Sequence, residues 1–230
     1  LLASLPAPSK RQIRETLRSI VDGDRQGWFG VEWSPNSVLG DVFRYGDGSL
    51  EIPSDFYLAF KAYGECAQSW RDIDANLCLY NQAELKESGG PNLIRGPREA
   101  LALFEQADSR GNTAAPSALA RIYRLGLLGV KADPKRAAEY SRSAVGRGNN
   151  YEAHMLALQY MLGSGVPVNI DEAARLLELS ATATQSRAGS PWSMLELSRL
   201  HEDGAVSNAS LTTALTWLQR ADKVDSEMWS

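Results

Sequence analysis

The sequence predicts an all-α fold: a right-handed α/α superhelix, or solenoid, of about five helix-pair repeats behind an N-terminal capping helix. Three observations predict it. Residues 119–148 (LARIYRLGLLGVKADPKRAAEYSRSAVGRG) have a near copy at 156–181 (LALQYMLGSGVPVNIDEAARLLELSA). Alanine markers recur at Ala59, Ala100, Ala137, Ala173 and Ala214, in steps of about 36 to 41 residues. Each copy reads as two short amphipathic helices parted by a glycine turn. A pair that small cannot bury its own apolar face, so only stacking gives a continuous core.

The elements follow in chain order. "LLASLPAPSK" is a leader with Pro6 and Pro8, and shows no charged segment or cleavage site of an export signal. "SKRQIRETLRSIVDG" is the capping helix: Ser9 caps it, Ile13, Leu17, Ile20 and Val21 form its apolar face, and Gly23 stops it. "GWFGVEW" is an aromatic segment outside the repeat register. These make residues 1–35 a leader, cap and aromatic segment, and residues 36–230 one continuous repeat domain.

The first repeat is 39–67, where Leu39, Phe43 and Gly46 match the first half, and Ala59, Ala62 and Cys66 the second. The second half of the next is 98–111. Its first half, read as DANLCLYNQAEL, lacks the glycine and is followed by the insertion "KESGGPNLIRG". The third and fourth are the two clear copies. In both, Tyr lies four residues after the marker leucine (Tyr123, Tyr160) and Gly three beyond that (Gly126, Gly163). The fifth, 197–221, holds register through Leu197, Gly204, Ala214, Trp217 and Ala221, with His201 in the aromatic position.

Local chemistry accounts for the unit. Leu119, Ile122 and Tyr123 share one helical face. Gly126 ends that helix, because glycine takes the left-handed conformation without steric cost. Asp133-Pro134 and Ser54-Asp55 cap second helices. Ala137, Tyr140 and Ala144 recur at i, i+3, i+7, small residues that let two helices approach.

Apolar residues make up 43% of the 230 residues and the net charge is −4, which suits a globular protein with a core and argues against nucleic acid as a partner. No apolar run approaches the roughly 20 residues that span a bilayer. "GLLGVKA" is not a phosphate loop: that needs GxxxxGK[ST] between strand and helix, and the glycines recur as "GSGV" without lysine. There is no G-x-S-x-G elbow. His201, Glu202 and Asp203 are neighbours in a helix and point apart. His201 reads as a half-buried structural group, and His154 has no evident partner. The two cysteines and two histidines lack zinc-ligand spacing. The sequence therefore predicts no enzyme, no cofactor and no metal.

These residues resemble the Sel-one-like repeat family, relatives of the tetratricopeptide repeats. The resemblance rests on Leu119, Tyr123, Gly126, Gly129-Val130, Asp133, Ala137, Tyr140, Ala144 and Gly148, then on Leu156, Tyr160, Gly163, Gly165-Val166, Ala173 and Ala174. It covers roughly residues 36–225. It implies a non-enzymatic interaction protein, in bacteria often exported: an immunity-type inhibitor of a secreted effector, or alternatively a scaffold of an envelope or polysaccharide-export assembly. A hydrolytic enzyme is the rival from another class. A membrane tether ahead of Leu1 is compatible with either binding role.

In the repeat register Cys66 lies on the second helix of one pair and Cys78 on the first helix of the next. Either they form a disulfide or they are two buried thiols. The geometric pairing favours the disulfide, and with it an oxidising compartment such as the periplasm. In related solenoids first helices line the concave face. The residue two beyond each marker leucine then faces a protein partner: Asp41, Asn81, Arg121, Leu158 and Arg199, with Arg124 beside Arg121. Trp28 and Trp33 of the aromatic segment either cap the stack or anchor the partner.

Overall fold

The computed structural model describes residues 15, 35–48, 52–68, 72–90, 92–182 and 190–228. The capping helix (Glu15 apart), the "GWFGVEW" segment and Trp28 and Trp33 lie outside them. The described residues form ten α-helices and two isolated β-bridges. Two compact units are present, Leu1–Ala115 and Pro116–Ser230.

The first unit holds two helix pairs: α1 (Pro35–Tyr45) with α2 (Phe56–Ala67), and α3 (Asp72–Ser88) with α4 (Pro97–Ser109). The second holds three: α5 (Ala115–Leu125) with α6 (Pro134–Gly146), α7 (Asn150–Leu162) with α8 (Ile170–Thr182), and α9 (Pro191–Glu202) with α10 (Leu211–Met228). Each unit has its own core. Leu39, Phe43, Ala59, Ala62, Tyr63, Cys66 and Cys78 pack in the first. Leu156, Ala173, Leu177, Met194, Leu197 and Val206 pack in the second.

The turn chemistry is as the sequence predicts. Asp55 and Asp133 sit at N-caps and accept from the backbone N–H of Leu58 and Arg136. Gly126 has φ +66°, and a Cβ there would lie 2.9 Å from the backbone nitrogen of Ala132. Gly165, at φ +76°, is tighter still, with the carbonyl of Pro134 2.1 Å from where its Cβ would be. One backbone bond repeats: the capping residue donates its N–H to the carbonyl of the marker aromatic. It joins Asp55 to Phe43 at 2.6 Å, Asp133 to Tyr123 at 2.8 Å and Asn169 to Tyr160 at 3.1 Å.

That bond corrects the second repeat. There Gly96 donates to the carbonyl of Lys86 at 2.9 Å. Lys86 therefore holds the aromatic's place, and the turn glycine three residues on is Gly89, at φ +65°. The glycine is displaced, not missing, because α3 runs past the expected stop at Leu85. The position equivalent to Arg121 is Glu84, not Asn81. Glu84 accepts from the Arg44 guanidinium at 2.8 Å.

Cys66 and Cys78 are bonded, with 5.9 Å between their Cα atoms and both side chains fully buried. The bridge ties α2 to α3.

Candidate protein-binding face

The second unit's first helices, α5, α7 and α9, are neighbours held by polar bonds. Glu152, in the first turn of α7, is the anchor between α5 and α7. Asn149 caps the helix and accepts its backbone N–H at 3.1 Å. Its side chain is 1% exposed and accepts from Arg124 Nη2 at 2.8 Å, Ser141 Oγ at 2.8 Å and Ser117 Oγ at 3.1 Å. A buried carboxylate persists only when paired and fully hydrogen-bonded, and these three donors meet that demand. Its lone pairs are thus occupied by protein donors, a structural arrangement. Between α7 and α9, His154 Nδ1 meets Ser193 Oγ at 2.8 Å.

On its core side α7 buries Ala153, Leu156 and Ala157. Its other side is apolar too. Tyr151, Met155, Leu158 and Leu162 recur at i, i+4, i+7 and i+11, so they form one stripe along the helix. Tyr151 is 67% exposed and Leu162 77% exposed, while Met155 and Leu158 are half-buried. On α9, Trp192 stands before Leu197 in the same register position as Tyr151 before Leu156, and is 73% exposed. A helix that is apolar all round is normally covered on both sides. Exposed aromatics beside such a stripe are the composition of interface anchors.

A second cluster lies at the turns of the same unit. The Tyr123 ring stacks on Tyr140 with centroids 5.6 Å apart, and Arg136 lies 5.3 Å over it. Arg142 lies 5.9 Å over Tyr160. Bonding to Tyr123 holds the Arg136 guanidinium above its ordinary pKa. Among the described residues no three of His, Cys, Asp and Glu converge to hold a metal ion. Among them no helix is long and apolar enough to cross a membrane.

The model of the Sel1 repeat matches residues 77–112, 117–149, 153–184 and 193–221, more than half of the chain. The chain belongs to the Sel1 repeat family. Its first helix pair lies outside the matched residues but makes, from Asp55 to Phe43, the same turn bond as the first three Sel1 repeats that follow. Among solved structures, a Sel1 repeat protein from Oxalobacter formigenes is 23% identical, with a TM-score of 0.60, covering 82% of this chain and 70% of that one. A protective antigen of uropathogenic Escherichia coli is 17% identical, with a TM-score of 0.50, covering 94% of this chain and 49% of that one. An immunity protein of Pseudomonas aeruginosa is 16% identical, with a TM-score of 0.47, covering 97% and 84%. These likenesses concern the fold. No curated protein matches by sequence.

The Sel1 repeats place the sequence-derived face residues unequally. Arg121, Leu158 and Arg199 occupy one register position on α5, α7 and α9. Arg124 does not point outward: its guanidinium turns onto Glu152, which needs the charge. Asp41, on α1 of the other unit, accepts from the Tyr63 hydroxyl at 2.6 Å. Burial and that carboxylate together push the Tyr63 phenol upward. Tyr151, Met155, Leu162 and Trp192 went unread in the sequence. The signal was present, since apolar residues at i, i+4, i+7 and i+11 line α7, but alternate faces of one helix cannot both be assigned to a core without knowing its neighbours.

His201 is buried, at 4% exposed, more deeply than its half-buried expectation. His154 has the partner that the sequence did not reveal. Burial holds the His154 imidazole below its ordinary value of 6.5, opposed by the nearby Glu196 carboxylate. A base depressed in the folded state contributes stability that is complete above the unfolded value and lost as pH falls through the folded one. Urea midpoints should therefore drop between about pH 7.5 and 5.5. His154→Asn keeps a polar atom near Nδ1 and should flatten that drop. An identical slope in the variant would assign the effect elsewhere.

Proposed function

We propose that this chain is an exported, non-enzymatic binding protein of the periplasm that neutralises a secreted effector. It holds the effector on the first-helix face of α5, α7 and α9. The carrying observation is the α7 stripe, with Tyr151 and Leu162 exposed and Met155 and Leu158 half-buried, on a helix whose opposite side already packs the core. Trp192 adds an aromatic anchor. The Cys66–Cys78 bridge supports an oxidising compartment, since structural disulfides are rare where thiols are kept reduced. Sel1 repeats serve protein–protein interaction, and the network around Glu152 is closed to a substrate.

The test mixes the purified protein with secreted toxins and lipases encoded beside its gene. One effector should form a one-to-one complex on light scattering and lose its toxicity. Leu158→Asp, with its helical content unchanged, should weaken that complex at least about tenfold, the loss of a central anchor. Co-purification with several envelope components, with no effector inhibited, would replace this reading by the scaffold.

A further inference from the structure

We infer that α10, the last helix of the second unit, is a self-association face on which a second copy of this chain packs through Leu211, Leu215 and Leu218. It lies on a second helix, and so leaves α5, α7 and α9 to the effector.

The repeat register shows which side of α10 is open. Counted from the alanine markers Ala137, Ala173 and Ala214, Leu215 stands where α6 has Ala138 and α8 has Ala174. Leu218 stands where they have Ser141 and Leu177. Those four residues are buried. The following first helices reach them: Glu152 of α7 accepts from Ser141 Oγ, and Met194 and Leu197 of α9 share a core with Ala174 and Leu177. On α10 the equivalent side chains meet solvent. Leu211, Leu215 and Leu218 are 71%, 54% and 48% exposed, and at i, i+4 and i+7 they form one stripe. The inner side of the same helix buries Ala214, Ala221 and Val224.

A further repeat of the same kind does not suit this side. Leu215 is bulkier than the two alanines that let α7 and α9 approach, and Asp222 stands where α8 buries Ala181. A close first helix would be held off by the leucine and would bury the carboxylate. Two leucine-lined helices, more widely spaced, meet neither difficulty. Set antiparallel about a two-fold axis, Leu215 lies beside its own copy and Leu211 meets Leu218. Asp222 then stays beyond the contact. Such a contact uses one patch twice, whereas head-to-tail stacking needs a second, different patch.

Charge selects a second copy over a foreign helix. Residues 204–219 hold no charged side chain, in a chain that is 23% charged. Asp171, which reaches this stretch from α8, accepts from the Ser207 N–H at 2.8 Å. Arg220, just beyond it, lies 5.4 Å over the Trp217 ring. Two copies of a chain of net charge −4 repel each other, and they approach best where no like charges are juxtaposed. A foreign partner is not bound by that restriction, and it would draw orientation from charges that this stripe does not offer. The stripe is short, about 11 Å from Leu211 to Leu218 at 1.5 Å per residue. That is less than an obligate interface needs, so the pairing is reversible.

Sedimentation equilibrium of the full chain tests this. Between about 10 µM and about 1 mM it should show a reversible monomer–dimer equilibrium that does not weaken at high salt. Leu215→Asp, with helical content unchanged, should weaken the dimer at least about tenfold, and Leu218→Gln should act in the same direction. Ile94→Asp, equally apolar and 87% exposed but in the first unit, should leave it as it is. Leu215→Cys, beside the axis, should form a bridge between two copies under mild oxidation. Monomer at every concentration would overturn the inference and leave the stripe to a foreign helix. A dimer indifferent to Leu215→Asp, or one without the Leu215→Cys bridge, would place the contact elsewhere. Species that grow past two with concentration would replace the two-fold contact by head-to-tail stacking.

Discussion

Arg124→Ala is expected to lower the stability of the 116–230 unit by about 3–5 kcal/mol. The cause is what it leaves behind. Glu152 is 1% exposed, and without Arg124 its charge remains buried with only the two serine hydroxyls. Leaving one member of a buried ion pair uncompensated is far worse than never burying the pair. Replacing both members by apolar residues, Arg124→Met with Glu152→Leu, should therefore recover most of the loss. Ser117 and Ser141 can turn their hydroxyls onto backbone carbonyls of their own helices. The double-mutant cycle should show strong coupling. Because the chain has two compact units, one denaturation curve need not be two-state. Amide exchange in α5 and α7 is the fitting readout. Losses below about 1 kcal/mol in Arg124→Ala would show that solvent, not Arg124, supports the carboxylate.

Removing the disulfide should cost the other unit about 3 kcal/mol. A bridge that closes a loop of this size removes about that much conformational freedom from the unfolded chain, unless strain intervenes. Cys66 and Cys78 are 12 residues apart and both fully buried, so reductant should reach them only after local opening. Native protein should show no titratable thiol, and two thiols after denaturation with reductant. In Cys66→Ala with Cys78→Ala, exchange should quicken in α2 and α3 while α7 and α8 keep their protection. Two free thiols in denatured protein without reductant would remove the bridge, and with it the support for an oxidising compartment. Uniform loosening across both units would contradict their separate cores.

Both expectations turn on pairings that were unequally visible beforehand. The cysteines were legible because only two exist and the repeat register set them on adjoining antiparallel helices. The Arg124–Glu152 pair was not. Arg124 sits on the polar edge of an amphipathic helix, where the usual destination is solvent, and Glu152 is one carboxylate among 28 acidic residues. Their atoms meet across 28 residues of chain, and no local pattern encodes that.

The second repeat shows the opposite failure. Its local signals were all present, Gly89 and the capping position Gly96 included, but Leu79 imitated the marker leucine and shifted the reading by three residues. The recurrent bond from capping N–H to marker carbonyl restores the register, and it is a contact rather than a residue type.

Helices, turns and the repeat order could be read from the chain because each depends on neighbours within a few positions. Helical periodicity, a glycine that accepts positive φ and an aspartate that caps its own helix are local facts. Which side of α7 stays open, where Arg124 points and which residues share the proposed binding face depend on how each helix is rotated against the next. That rotation is set by close packing of small residues from different repeats. It appears only when the helices are assembled, because the free energy that selects it belongs to the interface and not to either segment.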